Sequence, residues 1–230
     1  MVDKIVNVSK LNIRNYPKGS LQGYIKSGTE VEVFEEKSGW SKIKTTAWVM
    51  SDYLRDLPES ETVSGEVIKR IVIHCSATKP DYNATAEDIK KWHTDPVFKG
   101  GRGWSRAGYH WVIEREPCRV VPLVAMNDDE VLESWEISNG VRGYNKDSIH
   151  VCYVGGLNEK GRPADNITPE QTEELVALLQ SLVQTRPNLQ HIVGHTDLYP
   201  LKACPSFDVA KFLHKNLSQD LAKKYALPLR

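Results

Sequence analysis

Neither sign of charge is in excess in this chain of 230 residues, where 30 Lys and Arg stand against 30 Asp and Glu. A protein whose main partner is nucleic acid or an anionic membrane carries a strong positive excess, and its absence argues against both. Long apolar runs are missing too, so no segment reads as a membrane span, and the start MVDKIVNVSK lacks the apolar core of a signal peptide. A mature form whose export signal has been removed reads the same way, and so does a protein that accumulates in the cytoplasm before release. Cysteine is sparse. The residues Cys75, Cys118, Cys152 and Cys204 are widely spaced and form no Cys-x-x-Cys pair, which argues against a zinc ribbon, a thioredoxin-like site and a disulfide scaffold. Cys75 and Cys152 sit inside apolar runs and read as buried thiols. The glycine-rich stretch Phe98-Lys99-Gly100-Gly101-Arg102-Gly103 lacks the GxxxxGK[ST] pattern of a phosphate loop, and there is no internal repeat or low-complexity segment.

What is present has two textures. Residues 1–57 read as short strands, Leu11 to Arg14, Glu30 to Glu35, Trp40 to Ile43 and Ala47 to Met50, punctuated by Pro17, Gly19, Gly28 and Gly39. This is the pattern of a small all-β barrel. The strings LNIRNYPKGS, GTEVEVFEEKSGWSKI and AWVMSDYL resemble the bacterial SH3-like (SH3b) family, with Ala47 where a glycine is common. The resemblance implies a cell-wall targeting module, against the plainer role of packing on the catalytic domain. Tyr16, Trp40 and Trp48 are candidate groove walls or barrel core.

Residues 58–66, opening with the polar run Pro58-Glu59-Ser60-Glu61-Thr62, read as a linker. From Val67 strands alternate with helices. Strands are expected at 68–74, 108–114, 119–124, 148–154 and 190–194. Helices are expected from Thr85 with its capping partner Asp88, from Thr168 with Pro169 and Gln171, and after Ser206 through Val209, Phe212, Leu213 and Leu217. The class is α/β, a mixed sheet flanked by helices over residues 67–217, with 218–230 as a C-terminal tail.

Three residues of this second region stand where a catalytic metal site could form. His74 ends the strand Ile71-Val72-Ile73, His195 ends Ile192-Val193-Gly194, and Cys204 lies in the loop beyond. Two imidazoles and a thiolate leave the fourth tetrahedral position of a zinc ion for water. Spacing alone does not close that triangle: a histidine at a strand end is more often structural, and Cys204 reads equally as a buried thiol.

The segments VIHCSATKP, GYHWVI, GYNKDSI, VCYVGG, IVGHTDL and KACPSFD, spread over residues 67–217, resemble the type 2 N-acetylmuramoyl-L-alanine amidases. The likeness is to the small phage lysozymes of that family, which are related to animal peptidoglycan recognition proteins. It implies a zinc enzyme that cuts the amide between the lactyl group of N-acetylmuramic acid and L-alanine of the stem peptide. It further implies His74, His195 and Cys204 as zinc ligands and Tyr109 and Lys202 as catalytic residues. The implied partner is peptidoglycan, glycan strand and stem peptide together, met at the cell wall in the periplasm or outside the cell. Oligomeric state is open.

Tyr109 is expected to point to the site while His110 turns away, as alternate strand residues do. His93, His110, His150, His191 and His214 read as structural, with a hydrogen bond to a ligand's other ring nitrogen as the minor alternative. Trp104, Tyr153 and the loop 98–103 are candidates for the substrate groove, with core packing the competing reading of the aromatics. The chain departs from close relatives at Ser138-Asn139-Gly140-Val141-Arg142, where a histidine is usual, at Glu116-Pro117-Cys118 in place of an Asp-Gly turn, and in a loop before Cys204 one residue longer. Two rivals are weighed: a non-catalytic peptidoglycan receptor, and an SH3b-coupled cysteine peptidase using Cys75. Cys75 and His74 are strand neighbours facing opposite ways, which does not suit a nucleophile and its base.

Overall fold

The computed structural model describes residues 2–5, 10–14, 19, 21–26, 30–37, 40–44 and 65–228. The chain divides into two compact units, Met1–Thr62 and Val63–Arg230.

The first unit is built from antiparallel strands. β1 (Val2–Ile5), β4 (Glu30–Lys37) and β5 (Trp40–Lys44) form one sheet with β4 central, and β2 (Lys10–Arg14) pairs with β3 (Leu21–Lys26) in another. Val33 is buried between Ile25 and Ile43, so alternate residues of β3, β4 and β5 supply the core. Trp40 is half-buried, while Tyr16, Trp48 and the expected strand Ala47 to Met50 lie outside the described residues.

The second unit centres on a five-stranded mixed sheet made of β7 (Arg70–Cys75), β8 (Trp111–Ile113), β9 (Val120–Pro122), β11 (Ser148–Tyr153) and β12 (His191–Gly194). Their spatial order is β12-β7-β11-β8-β9, parallel except for the antiparallel β8-β9 pair. The inner strands are continuous apolar runs because helices cover both faces of a parallel sheet, and Ile71, Val72, Ile73, Ile149 and Val151 are fully buried. A short ribbon of β6 (Glu66–Val67) and β10 (Val131–Leu132) stands apart from this sheet.

Helix α1 (Ala86–Thr94) starts at a capping box in which Thr85 accepts from the Asp88 backbone and Asp88 accepts from the Thr85 backbone. Helix α2 (Pro169–Gln184) starts at the corresponding box of Thr168 and Gln171, with Pro169 preset for the first turn. Leu175, Leu178, Leu179 and Leu182 form its buried stripe. A single turn, α3 (His195–Leu198), follows β12 directly, and α4 (Val209–Asn216) is capped by Asp208. Residues 218–230, read as a tail, contain a further helix, α5 (Gln219–Tyr225), capped by Ser218 and burying Ala222 and Tyr225.

Candidate metal centre

Parallel strands deliver their carboxyl ends to one edge of a sheet, and side chains just past those ends meet there. Pairing sets Gly194 of β12 beside Ile73 of β7, so the residues that follow, His195 and His74, are neighbours. Their rings meet edge to face with centroids 4.9 Å apart. The loop after α3 returns Cys204 to the same point. It is held by the Thr196 N–H donating to the Cys204 carbonyl at 2.8 Å and by the Tyr153 hydroxyl donating to the Pro205 carbonyl at 2.7 Å. Gly194 permits this approach, since a Cβ there would lie 2.7 Å from Pro205 Cδ.

One donor atom from each of His74, His195 and Cys204 lies within 4.8 Å of the others, the arrangement of a site that could hold a metal ion. His74 Nδ1 is 3.6 Å from Cys204 Sγ. The Cys75 backbone N–H points at the same sulfur from 3.2 Å, a contact that favours thiolate. His74 is almost fully buried, and burial first, then the neighbouring His195 and His93, holds its pKa well below the usual imidazole value. His195 is lowered by burial and then by the Lys202 ammonium. Both rings are therefore neutral near pH 7 and able to ligate. In the metal-free protein the Cys75 thiol and burial push the Cys204 thiol up, so Cys204 is protonated until a cation displaces its proton.

Tyr109 falls just before β8, which is shorter than the expected strand 108–114, and its half-buried ring lies 4.9 Å from that of His74. His93 supports it from behind: the imidazole accepts from the Gly108 N–H at 3.2 Å, stacks on Trp104 and meets the Tyr109 ring edge-on at 5.2 Å. Burial, followed by the surrounding thiols of Cys152, Cys204 and Cys75, raises the Tyr109 pKa well above its ordinary value and keeps the phenol protonated. Lys202 is exposed on the loop between α3 and Cys204, close enough for its charge to depress His195.

The candidate groove residues separate. Tyr153 is core, buried with its hydroxyl bonded to the chain at Pro205. Trp104 is half-buried, flanked by the Arg102 guanidinium 5.2 Å from its ring centre, and Phe98 is exposed on the neighbouring loop. That loop is pinned to α1 by Arg102 donating to the Trp92 carbonyl and Gly103 to that of Asp95. Cys75 is buried with its sulfur 3.7 Å from the Ser206 hydroxyl. His191 and His214 are exposed.

Sequence reasoning carried the place of His150 only as a minor alternative shared by five histidines. Its Nδ1 lies 3.0 Å from Nε2 of His74. In the parallel register His150 sits opposite Val72 and Cys152 opposite His74, so His150 and His74 are diagonal neighbours on one sheet face. The alternation of β11 carried that signal, but only once β11 was known to lie beside β7.

Comparison with known proteins identifies the family. The family model described as N-acetylmuramoyl-L-alanine amidase matches residues 64–207, and that of the bacterial SH3 domain matches residues 9–55. The endolysin of Enterobacteria phage T3 is 37% identical over 146 residues, 64% of this chain and 85% of that protein. The endolysin of Escherichia phage T7 is 36% identical over 146 residues, with the same shares covered. Among solved structures, bumblebee PGRP-SA shares the fold with a TM-score of 0.50 at 18% identity, covering 74% of this chain and 94% of that one. The chain belongs to the N-acetylmuramoyl-L-alanine amidase family and carries a bacterial SH3 domain ahead of the amidase domain. Its activity is that of a peptidoglycan hydrolase, an N-acetylmuramoyl-L-alanine amidase.

Proposed function

We propose that His74, His195 and Cys204 hold a zinc ion, and that Tyr109 and Lys202 work beside it in hydrolysis of the amide joining the lactyl group of N-acetylmuramic acid to L-alanine. The observation that carries this reading is the 3.6 Å between His74 Nδ1 and Cys204 Sγ. Two donors on one tetrahedral ion, with bonds of about 2.0 and 2.3 Å, stand roughly 3.5 Å apart. The donor set fits as well, since two neutral imidazoles and a sulfur leave one position open. Bound zinc supplies Lewis acidity toward the amide carbonyl and acidifies a water molecule toward neutrality.

The chain's own residues do the rest. As the carbonyl carbon becomes tetrahedral, negative charge gathers on its oxygen, and the Lys202 ammonium at the lip of the site stabilises it. Donors of this kind contribute about 3 kcal/mol to lowering the barrier. Tyr109, held protonated, acts as a hydrogen-bond donor that orients the reacting groups rather than as a base. Trp104 and the loop bearing Phe98 offer an apolar wall for glycan and stem peptide, and the N-terminal SH3 unit brings the enzyme to the wall. The site of action is the cell wall, in the periplasm or outside the cell.

The test is digestion of purified cell walls followed by mass spectrometry. Stem peptides beginning with L-alanine are expected, abolished by a chelator and restored by zinc. Cys204→Ala is expected to lose both metal and turnover, while Cys75→Ser retains both. Intact stems with tight sedimentation onto the wall identify a receptor instead, and activity lost with Cys75→Ser in a folded protein identifies a peptidase.

A further inference from the structure

The imidazole of His74 has two nitrogens, and a metal takes only one of them. Its Nδ1 faces the Cys204 sulfur, and its Nε2 lies 3.0 Å from Nδ1 of His150. A neutral imidazole carries a single proton, so the Nδ1 lone pair is open only when that proton is on Nε2. That tautomer needs an acceptor opposite Nε2, and the atom found there is His150 Nδ1. We propose that His150 is a positioning residue that selects the metal-ligating tautomer of His74 and fixes the plane of its ring. The inference rests on the metal reading above and adds to it a residue outside the ligand set.

The surroundings of His150 hold it in that orientation. Its backbone N–H donates to His110 Nδ1 at 2.9 Å, and His110 Nε2 donates to the Glu136 carbonyl at 3.0 Å. His110 is thereby fixed with its own proton on Nε2, and its ring lies parallel to that of His150 with centroids 6.0 Å apart. Gly140 closes the cradle, because a Cβ there would lie 2.3 Å from His150 Nδ1. His110 and His150 are both completely buried, so no bulk water competes as acceptor.

The role also explains an apparent defect. Among the described residues, His150 Nε2 is one of two buried side-chain polar atoms without a hydrogen-bond partner. When His150 accepts at Nδ1, its own proton sits on that orphaned nitrogen. An unpaired buried donor is costly, and an aliphatic side chain at this place would avoid the cost. What an aliphatic residue cannot do is accept the proton of His74.

The test uses the full chain. In nitrogen-15 NMR of the metal-free wild type, the His74 proton is expected on Nε2, with Nδ1 unprotonated. Zinc affinity, read by competition with a chromophoric chelator, is expected to fall on the order of 10- to 100-fold in His150→Leu. His150→Asn, whose amide oxygen stands where Nδ1 stood, is expected to restore affinity close to wild type. The inference is overturned by a His74 proton on Nδ1 in the wild type, by wild-type affinity in His150→Leu, or by equal weakness of both variants with native circular dichroism. If His150→Leu does not fold, the wild-type NMR result decides. Failure of the metal reading looks different: the wild type binds no stoichiometric zinc, or Cys204→Ala binds it as tightly, whatever the tautomer of His74.

Discussion

His74 and His195 are held neutral by burial, and this sets the proton traffic when a metal arrives. At pH 6 zinc has the Cys204 proton to displace and at most the part of a proton left on His195, so calorimetry in buffers of different ionisation enthalpy is expected to find between one and two protons released per zinc. Imidazoles with the ordinary pKa of about 6.5 would add roughly one and a half more, and a release well above two would contradict the assignment. A second consequence concerns stability. Burial lowers His93 and His110 to about 4. The unfolded chain takes up protons on these groups below about 6.5, and the native chain refuses them until about 4, so native stability is full above that window and falls as pH drops through it. For fully buried His110 the loss is on the order of 3 kcal/mol, 2.5 pKa units at about 1.36 kcal/mol each. A urea midpoint that declines between pH 6.5 and 5 is expected, the histidines outweighing Glu136, whose carboxyl burial raises to about 7 and whose protonation acts in the opposite sense, and a flat profile there would count against it. At this scale the sequence was legible for the candidate ligands, which the structure brings within 4.8 Å of one another, because His74, His195 and Cys204 sit inside distinctive strings. It was not legible for His150, whose contact with His74 depends on which strands are neighbours.

The helix starts could be read from local chemistry alone. Thr85 with Asp88, and Thr168 with Pro169 and Gln171, satisfy their own backbone donors within four residues, and the structure caps α1 and α2 at those positions. Gln171 does more than cap. Its amide nitrogen donates to the carbonyls of Ile113 and Val154, fastening α2 to the sheet where β8 and β11 end. Gln171→Leu is therefore expected to cost about 1–3 kcal/mol, read as a lower urea midpoint, and an unchanged midpoint would show that the fastening carries no load. Strand ends were less legible. The run expected at 108–114 is regular only over Trp111–Ile113, with Tyr109 committed to contact with the His74 ring and His110 to β11. Helix α5 escaped because seven residues with two buried positions make a weak period, and its stability comes from packing the sequence does not display.

At the scale of the whole molecule, the change from strand-and-turn texture to alternating strands and helices marked two units, and the chain divides between Thr62 and Val63. The targeting role proposed for the first unit has a direct consequence. A chain lacking residues 1–62 is expected to keep zinc and to cleave soluble muropeptides at the full-length rate. On intact sacculi it should lose on the order of tenfold or more in rate, since tethering works through effective concentration at the wall. Equal loss on both substrates would instead make the SH3 unit part of the catalytic fold. The strand order that joins His74 to His195 was not legible at this scale, because nothing local says that β12 pairs with β7 rather than with an edge. The most direct measurement of the central claim is anomalous diffraction at the zinc edge from crystals of the zinc-loaded protein. One peak per chain is expected, within bonding distance of His74 Nδ1, a ring nitrogen of His195 and Cys204 Sγ. A zinc peak elsewhere, or one lacking any of these three ligands, would contradict the account.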